Sequence, residues 1–180
     1  VIGFTLSKFE IDGLKDLRFI PRVTTGDDGE IPIQHRGDSI RVASFHVSVL
    51  GPSKLDKSHV TDMIARLVRR FDVVAIQGIR SRDDSTLPRL VEAVNATGAH
   101  YDFVIGPRLP REARDGAPGE SYQEQFAFIF DQASLEVDRL QLYTISDPDD
   151  VIQREPLIAW FRVRGVGEEE AFTFSLVNVH

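Results

Sequence analysis

Several side chains of this sequence are of the types used in phosphate chemistry: imidazole, carboxylate and guanidinium. The chain has 5 His, 28 Asp and Glu, and 21 Lys and Arg residues; those that lie in the ordered motifs of residues 40–180 are His46, His180, Glu124, Arg80 and Arg154. A guanidinium fork fits two phosphate oxygens, and a carboxylate on one imidazole nitrogen fixes the tautomer of the ring. Each residue also has a structural interpretation. Glu124 could face solvent, Arg154 could pair with a neighbouring carboxylate, and His180 has no claim to catalysis by itself.

The composition limits the classes of function. The chain has 180 residues, no cysteine and a formal net charge of -7 at pH 7. Disulfides and thiolate metal sites are therefore excluded, and one domain with a single core is expected. A broad phosphate-neutralising surface is usually basic, so the acidic balance argues against a sequence-reading DNA-binding protein. It is neutral about a hydrolase in which a divalent cation supplies positive charge locally.

The sequence shows no targeting or membrane signal. No apolar run approaches the roughly 18 residues that a membrane-spanning helix needs. No basic segment followed by an apolar run is present, as a signal peptide would require. We therefore predict no membrane span, and the localisation and any protein partner stay open.

The chain is predicted to divide at residue 40. Residues 1–39 contain turn-forming sequence such as Thr24 to Gly29 and Arg36 to Asp38, and we interpret them as a lead-in or linker. A short amphipathic stretch from Phe9 to Leu17 is the exception, and we expect it to dock against the domain. Residues 40–180 form the predicted domain.

Residues 40–180 alternate between strand-like and helix-like patterns. β-branched and aromatic residues predict a strand over Ile40 to Val47, and a continuous apolar run predicts a buried strand over Asp72 to Ile76. Pro88 fits the first turn of a second helix, and four further strand-like runs follow a long loop over Gly106 to Glu120. The stripe of the first helix falls on one face: Val60, Met63, Ile64, Leu67, Val68 and Phe71. The order predicts an α+β or layered α/β architecture, with mixed sheets and helices packed outside.

Four stretches, in order, resemble motifs of the endonuclease/exonuclease/phosphatase family, in particular its deoxyribonuclease I-like members. They are Ile40 to Val47, Asp72 to Arg80, Ser121 to Phe130, and Arg154 to Pro156 together with the strand end Val177 to His180. The resemblance covers Ile40 to His180. It implies a β-sandwich with helices outside, of which this chain is expected to be the N-terminal portion.

The resemblance also implies a function. It predicts hydrolysis of a phosphate ester, with nucleic acid as the preferred substrate and Mg²⁺ or Mn²⁺ as cofactor. His180 would lie near the scissile phosphate, with Glu124 orienting its ring. Arg154 would contact phosphate, while Tyr122 and Arg80 match positions that lie against the DNA minor groove.

The sequence departs from the family at both metal-binding positions. His46 stands where an asparagine is expected, and Gly78 stands where a glutamate is expected. Glycine offers no ligand to a hard cation, and imidazole suits Zn²⁺ or Mn²⁺ better than Mg²⁺. Three explanations stay open: loss of activity during divergence, an error in the sequence, or a rebuilt transition-metal site using His46, Glu124 and His180.

The chain stops where the family continues with further catalytic groups. We therefore expect a truncated domain that is inactive as it stands, with one face of its sheet unburied. The leading hypothesis is a metal-dependent phosphodiesterase or nuclease-like hydrolase. The alternatives are a lipid- or sugar-phosphate phosphatase of the same fold, and an inactive module that binds phosphate or nucleic acid.

Overall fold

The apolar runs of the sequence lie in the middle of a sheet in the computed structural model of the chain. The structure describes residues 39–81, 84–109, 123–146, 151–152, 154–165 and 171–180, together with the backbone of 9–12 and 16–19. Twelve elements follow one another along these residues. They are β1 (Phe9–Asp12), β2 (Asp16–Phe19), β3 (Arg41–Leu50), α1 (Pro52–Leu55), α2 (Ser58–Val68), β4 (Val73–Ile79), α3 (Thr86–Asn95), β5 (Tyr101–Ile105), β6 (Gln125–Asp131), β7 (Leu135–Thr144), β8 (Leu157–Val163) and β9 (Thr173–Asn178).

The first sheet has six strands in the order β2-β1-β3-β4-β6-β5. β3 and β4 are parallel, with His46 opposite Gln77, and α1 and α2 connect them. β6 runs antiparallel to both β4 and β5. Every residue of β4 and β6 is buried, and for β4 the continuous apolar run predicted this.

Helices α2 and α3 cover one face of this sheet. Each has an apolar stripe at helical spacing, and the stripe packs against the inner residues of β3 and β4. The predicted stripe of α2 is largely confirmed, since Ile64 and Val68 are buried, but Met63 is 45% exposed. Met63 lies outside the apolar cluster that α2 forms with the sheet.

A second sheet covers the other face. It consists of β7, β8 and β9 in that order, all antiparallel. Phenylalanines from both sheets meet between them, with the Phe161 ring edge-on to Phe128 and Phe130 at 5.6 and 5.8 Å between centroids. The expectation of an unburied face on the central sheet is therefore wrong, because β7 to β9 already supply the covering layer. The predicted layered α/β sandwich with helices outside is confirmed.

The amphipathic stretch near the start contributes to the first sheet. β1 pairs with β3 through Phe9 opposite Val42, and β2 pairs with β1. Residues 1–39 therefore supply at least two strands to the edge of the sheet. The division at residue 40 stays a prediction. Among the described residues, no helix is long and apolar enough to cross a membrane.

Asn178 connects the two sheets through buried hydrogen bonds. It ends β9, and its Nδ2 donates to the carbonyl oxygens of Ile76 and Ala127 at 3.1 and 3.0 Å. Its Oδ1 accepts from Gln77 Nε2 at 2.6 Å. Buried amides are costly to leave unpaired, so these bonds fix the end of β9 against β4 and β6.

Replacement of Asn178 by alanine should lower the free energy of unfolding by about 2–4 kcal/mol, because it removes three buried hydrogen bonds, with Gln77 and with two backbone carbonyls. Urea denaturation measures this change. Ser175→Ala, on the exposed face of the same strand, is the matched control and should stay within about 0.5 kcal/mol of the unmodified chain. Equal effects of the two substitutions would show that the Asn178 bonds do not hold the sheets together.

Candidate functional site

Five of the predicted site residues converge at one edge of the sandwich. His46 lies near the end of β3, and Arg80 directly follows β4. Glu124 precedes β6, which runs the opposite way, so its start lies at the edge where the parallel strands end. Arg154 precedes β8 and His180 follows β9, whose register places Leu157 opposite Asn178. The topology therefore brings together residues that are far apart in sequence.

Glu124 lies at the centre of this group. Its side chain is 2% exposed, so the alternative that it faces solvent is wrong. Oε1 accepts a hydrogen bond from the Gly78 backbone N–H at 3.1 Å and lies 3.4 Å from His180 Nδ1. Oε2 lies 3.4 Å from Nη2 of both Arg80 and Arg154. The two guanidiniums compensate the cost of burying the carboxylate.

Arg154 joins the carboxylate to the terminal histidine. Its side chain is 8% exposed, and it pairs with Glu124. Nη1 lies 3.0 Å from His180 Nδ1. A guanidinium only donates, so this contact is a hydrogen bond only in the tautomer in which Nδ1 carries no proton, whereas a hydrogen bond to Glu124 needs the proton on Nδ1. His180 therefore has two partners competing for Nδ1, and the nearer one is Arg154 rather than the carboxylate that the resemblance implied.

The ring of His46 stacks on the ring of His180. The centroids are 4.1 Å apart and the planes differ by 23°. Burial lowers the pKa of His46 below its usual value, and the neighbouring His180, Arg80 and Arg154 lower it further, while Glu124 acts in the opposite direction. These effects favour the neutral form of the His46 ring.

The backbone conformation at position 78 requires glycine. Its φ angle is +82°, and a Cβ placed on it would lie 2.2 Å from the carbonyl oxygen of Val47. The pairing of β3 with β4 is irregular here, with a register shift between His46 and Leu50. Only glycine adopts this conformation without strain, and it directs the Gly78 N–H at Glu124. In the sequence, Gly78 stands out only as the loss of a metal ligand. A glycine near the end of a buried strand is itself a signal of a bulge or a close backbone approach.

The residues at the two metal positions do not fit Mg²⁺. Gly78 has no side-chain oxygen, and the close approach of Val47 leaves no room for one. His46 offers nitrogen, whereas Mg²⁺ prefers oxygen in octahedral geometry. One group with metal-ligand chemistry occurs among the described residues, namely His46, Glu124 and His180, whose ligand atoms lie within 4.8 Å of one another. Tyr122 lies outside the described residues, and its contact with nucleic acid stays a prediction.

Replacement of Gly78 by alanine should lower the free energy of unfolding by about 2–5 kcal/mol, since it combines a left-handed backbone with a backbone clash. Gly98→Ala is the matched control, because Gly98 has a φ of +88° but no atom within 4 Å of the point that a Cβ would occupy. It should cost only about 1–2 kcal/mol. Urea unfolding of both variants separates the cost of the left-handed backbone from the cost of the clash with Val47. A Gly78→Ala variant as stable as Gly98→Ala would contradict the close approach to Val47.

No family model matches the chain. Known sequences do. Deoxyribonuclease gamma from Rattus norvegicus is 31% identical over 151 residues, which cover 81% of this chain and 45% of that protein. Human deoxyribonuclease-1-like 2 is 28% identical over 72% of this chain and 40% of its own length. Bovine deoxyribonuclease-1 is 27% identical over 80% of this chain and 49% of its own length. The chain thus spans about half the length, or less, of these relatives.

Solved structures resemble the fold more distantly. An endonuclease/exonuclease/phosphatase family protein from Bacteroides thetaiotaomicron aligns over 76% of this chain and 48% of its own, with a TM-score of 0.49 and 16% identity. The catalytic domain of human nocturnin aligns over 77% of this chain, with a TM-score of 0.45 and 12% identity. The sequence matches cover most of the chain, and they confirm the resemblance that the motifs indicated. The chain is a homologue of the deoxyribonuclease I-like proteins of the endonuclease/exonuclease/phosphatase family, over the part of their length that it spans.

Proposed function

We propose that the chain carries the phosphate-contacting groups of a deoxyribonuclease-type phosphodiesterase site that acts on nucleic acid. The observation that carries this proposal is the contact of His180 with both Glu124 and Arg154. An imidazole supported by a carboxylate and flanked by a guanidinium can contact a phosphate and transfer a proton. The relatives described above are all deoxyribonucleases, which favours nucleic acid over lipid and sugar phosphates.

The chemistry that these residues support is hydrolysis of a P–O bond. Water adds its hydroxyl group to phosphorus, the bond to the leaving oxygen breaks, and that oxygen takes up a proton. His180 is 37% exposed, so its ring reaches the solvent side, where the scissile phosphate would lie. Arg80 and Arg154 would offset the negative charge that develops on the phosphoryl oxygens. Glu124 would hold both guanidiniums and the ring in place.

A second candidate function is nucleic-acid binding without cleavage. It is favoured by Gly78, which places a backbone N–H and no carboxylate at the expected metal position. The two candidates share the phosphate contacts and differ only in turnover. A cleavage assay and a binding assay on the same protein therefore distinguish them.

Replacement of His180 by alanine should lower the rate of DNA cleavage by about 10²–10⁴-fold, which is the usual contribution of a positioned acid or base. The assay follows nicking of a supercoiled plasmid by the full chain, with Mg²⁺, with Mn²⁺ and with EDTA. His59→Ala is the matched control, because His59 is exposed at the start of α2 on the helical layer, and it should leave the rate unchanged.

The same set of proteins is tested for binding to a labelled oligonucleotide. Binding without nicking under any cation would support the second candidate. If the His180→Ala variant keeps both cleavage and binding, His180 is not part of the site. If the unmodified chain neither cleaves nor binds DNA, the proposal of a nucleic-acid substrate is wrong.

A further inference from the structure

The charged groups of the site are layered from the interior to the solvent. The Glu124 side chain is 2% exposed and that of Arg154 is 8% exposed, whereas Arg80 is 23% and His180 is 37% exposed. The carboxylate thus lies at the bottom, and the guanidinium and imidazole groups lie above it. A ligand that approaches from solvent meets N–H donors first.

The described residues that converge here carry more donors than acceptors. Two guanidiniums face the single carboxylate of Glu124, so cationic side chains outnumber the anionic one. The Nε–H of Arg80 is also buried without an acceptor among the described residues. Buried donors without acceptors are costly, and an anionic oxygen beside the guanidiniums would offset their charge and accept from their exposed N–H groups.

The same arrangement disfavours a cation. Both oxygens of Glu124 already contact the Gly78 N–H or a guanidinium, so a metal ion would have to displace these groups. A divalent ion would also lie close to two permanent positive charges. The lone pairs of imidazole lie in the ring plane. The rings of His46 and His180 are stacked within 23° of parallel, so their lone pairs point side by side and not at one point.

We infer that this site binds the phosphate group of its ligand without a divalent cation, through Arg80, Arg154 and the two stacked histidines. The cationic side chains thereby supply the positive charge that Mg²⁺ would otherwise supply at the positions of His46 and Gly78. This inference rests on the proposed function for the identity of the ligand as a nucleic-acid phosphate. It adds to the proposed function that phosphate binding at this site needs no metal ion.

The experiment titrates inorganic phosphate, and separately the dinucleotide TpT, into the full chain in EDTA and in MgCl₂. Calorimetry measures the affinity, and side-chain NMR of the histidines and arginines locates the bound anion. We expect binding in EDTA that shifts the His46 and His180 resonances, weakens as NaCl is raised, and changes less than about twofold on adding Mg²⁺. Phosphate binding that appears only with Mg²⁺ would overturn the inference.

Arg80→Gln should weaken phosphate binding in EDTA by about tenfold, as expected for loss of a charge-assisted contact. Arg89→Gln is the matched control, because Arg89 is also paired with a carboxylate, that of Asp56, but lies on α3 away from the site. It should leave the affinity unchanged. Equal affinities of the two variants would contradict the inference. The NMR shifts of the unmodified chain keep the test valid if Arg80→Gln fails to fold.

A direct metal titration tests the competing cation site. Zn²⁺ and Mn²⁺ are added alone, without phosphate, to the unmodified chain and to His46→Asn. Tight binding of either ion that is lost in His46→Asn would overturn the inference in favour of a metal site on His46, Glu124 and His180. Absence of such binding, together with phosphate binding in EDTA, supports it.

The outcomes separate this inference from the proposed function. If inorganic phosphate binds in EDTA but DNA is neither bound nor cleaved, the metal-free phosphate site stands and the nucleic-acid substrate is wrong. If DNA is cleaved with Mg²⁺ and phosphate does not bind in EDTA, the proposed function stands and the metal-free site is wrong.

Discussion

The burial of one carboxylate organises this edge of the protein. Glu124 is almost fully covered, and such a group is tolerated only when charges and donors of opposite sign surround it. Arg80, Arg154 and the backbone N–H of Gly78 provide them. Gly78 lies in β4, Arg80 follows β4 and Arg154 precedes β8, so satisfying the Glu124 side chain fixes the relative positions of β4, β6 and β8. The pairing of charges around Glu124 therefore also sets the shape of the site.

The packing of the two sheets and the helices holds β4 and β6 in fixed positions, so that the partners of Glu124 stay in place. β4 and β6 are covered by helices on one face and by the second sheet on the other, and both are fully buried. Asn178 joins the layers by hydrogen bonds to Gln77 and to two backbone carbonyls. It lies two residues before His180, so the bonds that join the sheets also hold the histidine near the carboxylate. Fold stability and site geometry depend on the same few polar contacts.

The substitutions at the expected metal positions are linked by packing. At Gly78 the chain takes a left-handed turn that brings it against Val47, and the same turn directs its N–H at Glu124. His46 fills the adjacent space by stacking on His180. The Gly78 N–H that donates to Glu124 and the His46 ring that packs on His180 therefore depend on the same local packing of β3 against β4. Restoring a metal-binding side chain at position 78 would require the backbone of β3 or β4 to move.

Local sequence patterns were enough to predict the helices, the central strands and five side chains that meet at one edge of the sandwich. Apolar periodicity identified the helices and central strands, because burial on one or two faces leaves a pattern in consecutive residues. The ordered motifs indicated the site residues and the family. Three features became visible only in the folded chain: β7 to β9 cover the central sheet, Arg154 is nearer than Glu124 to His180 Nδ1, and Gly78 has a backbone role. Each of these depends on contacts between residues distant in sequence and on one left-handed φ angle, which local patterns do not encode.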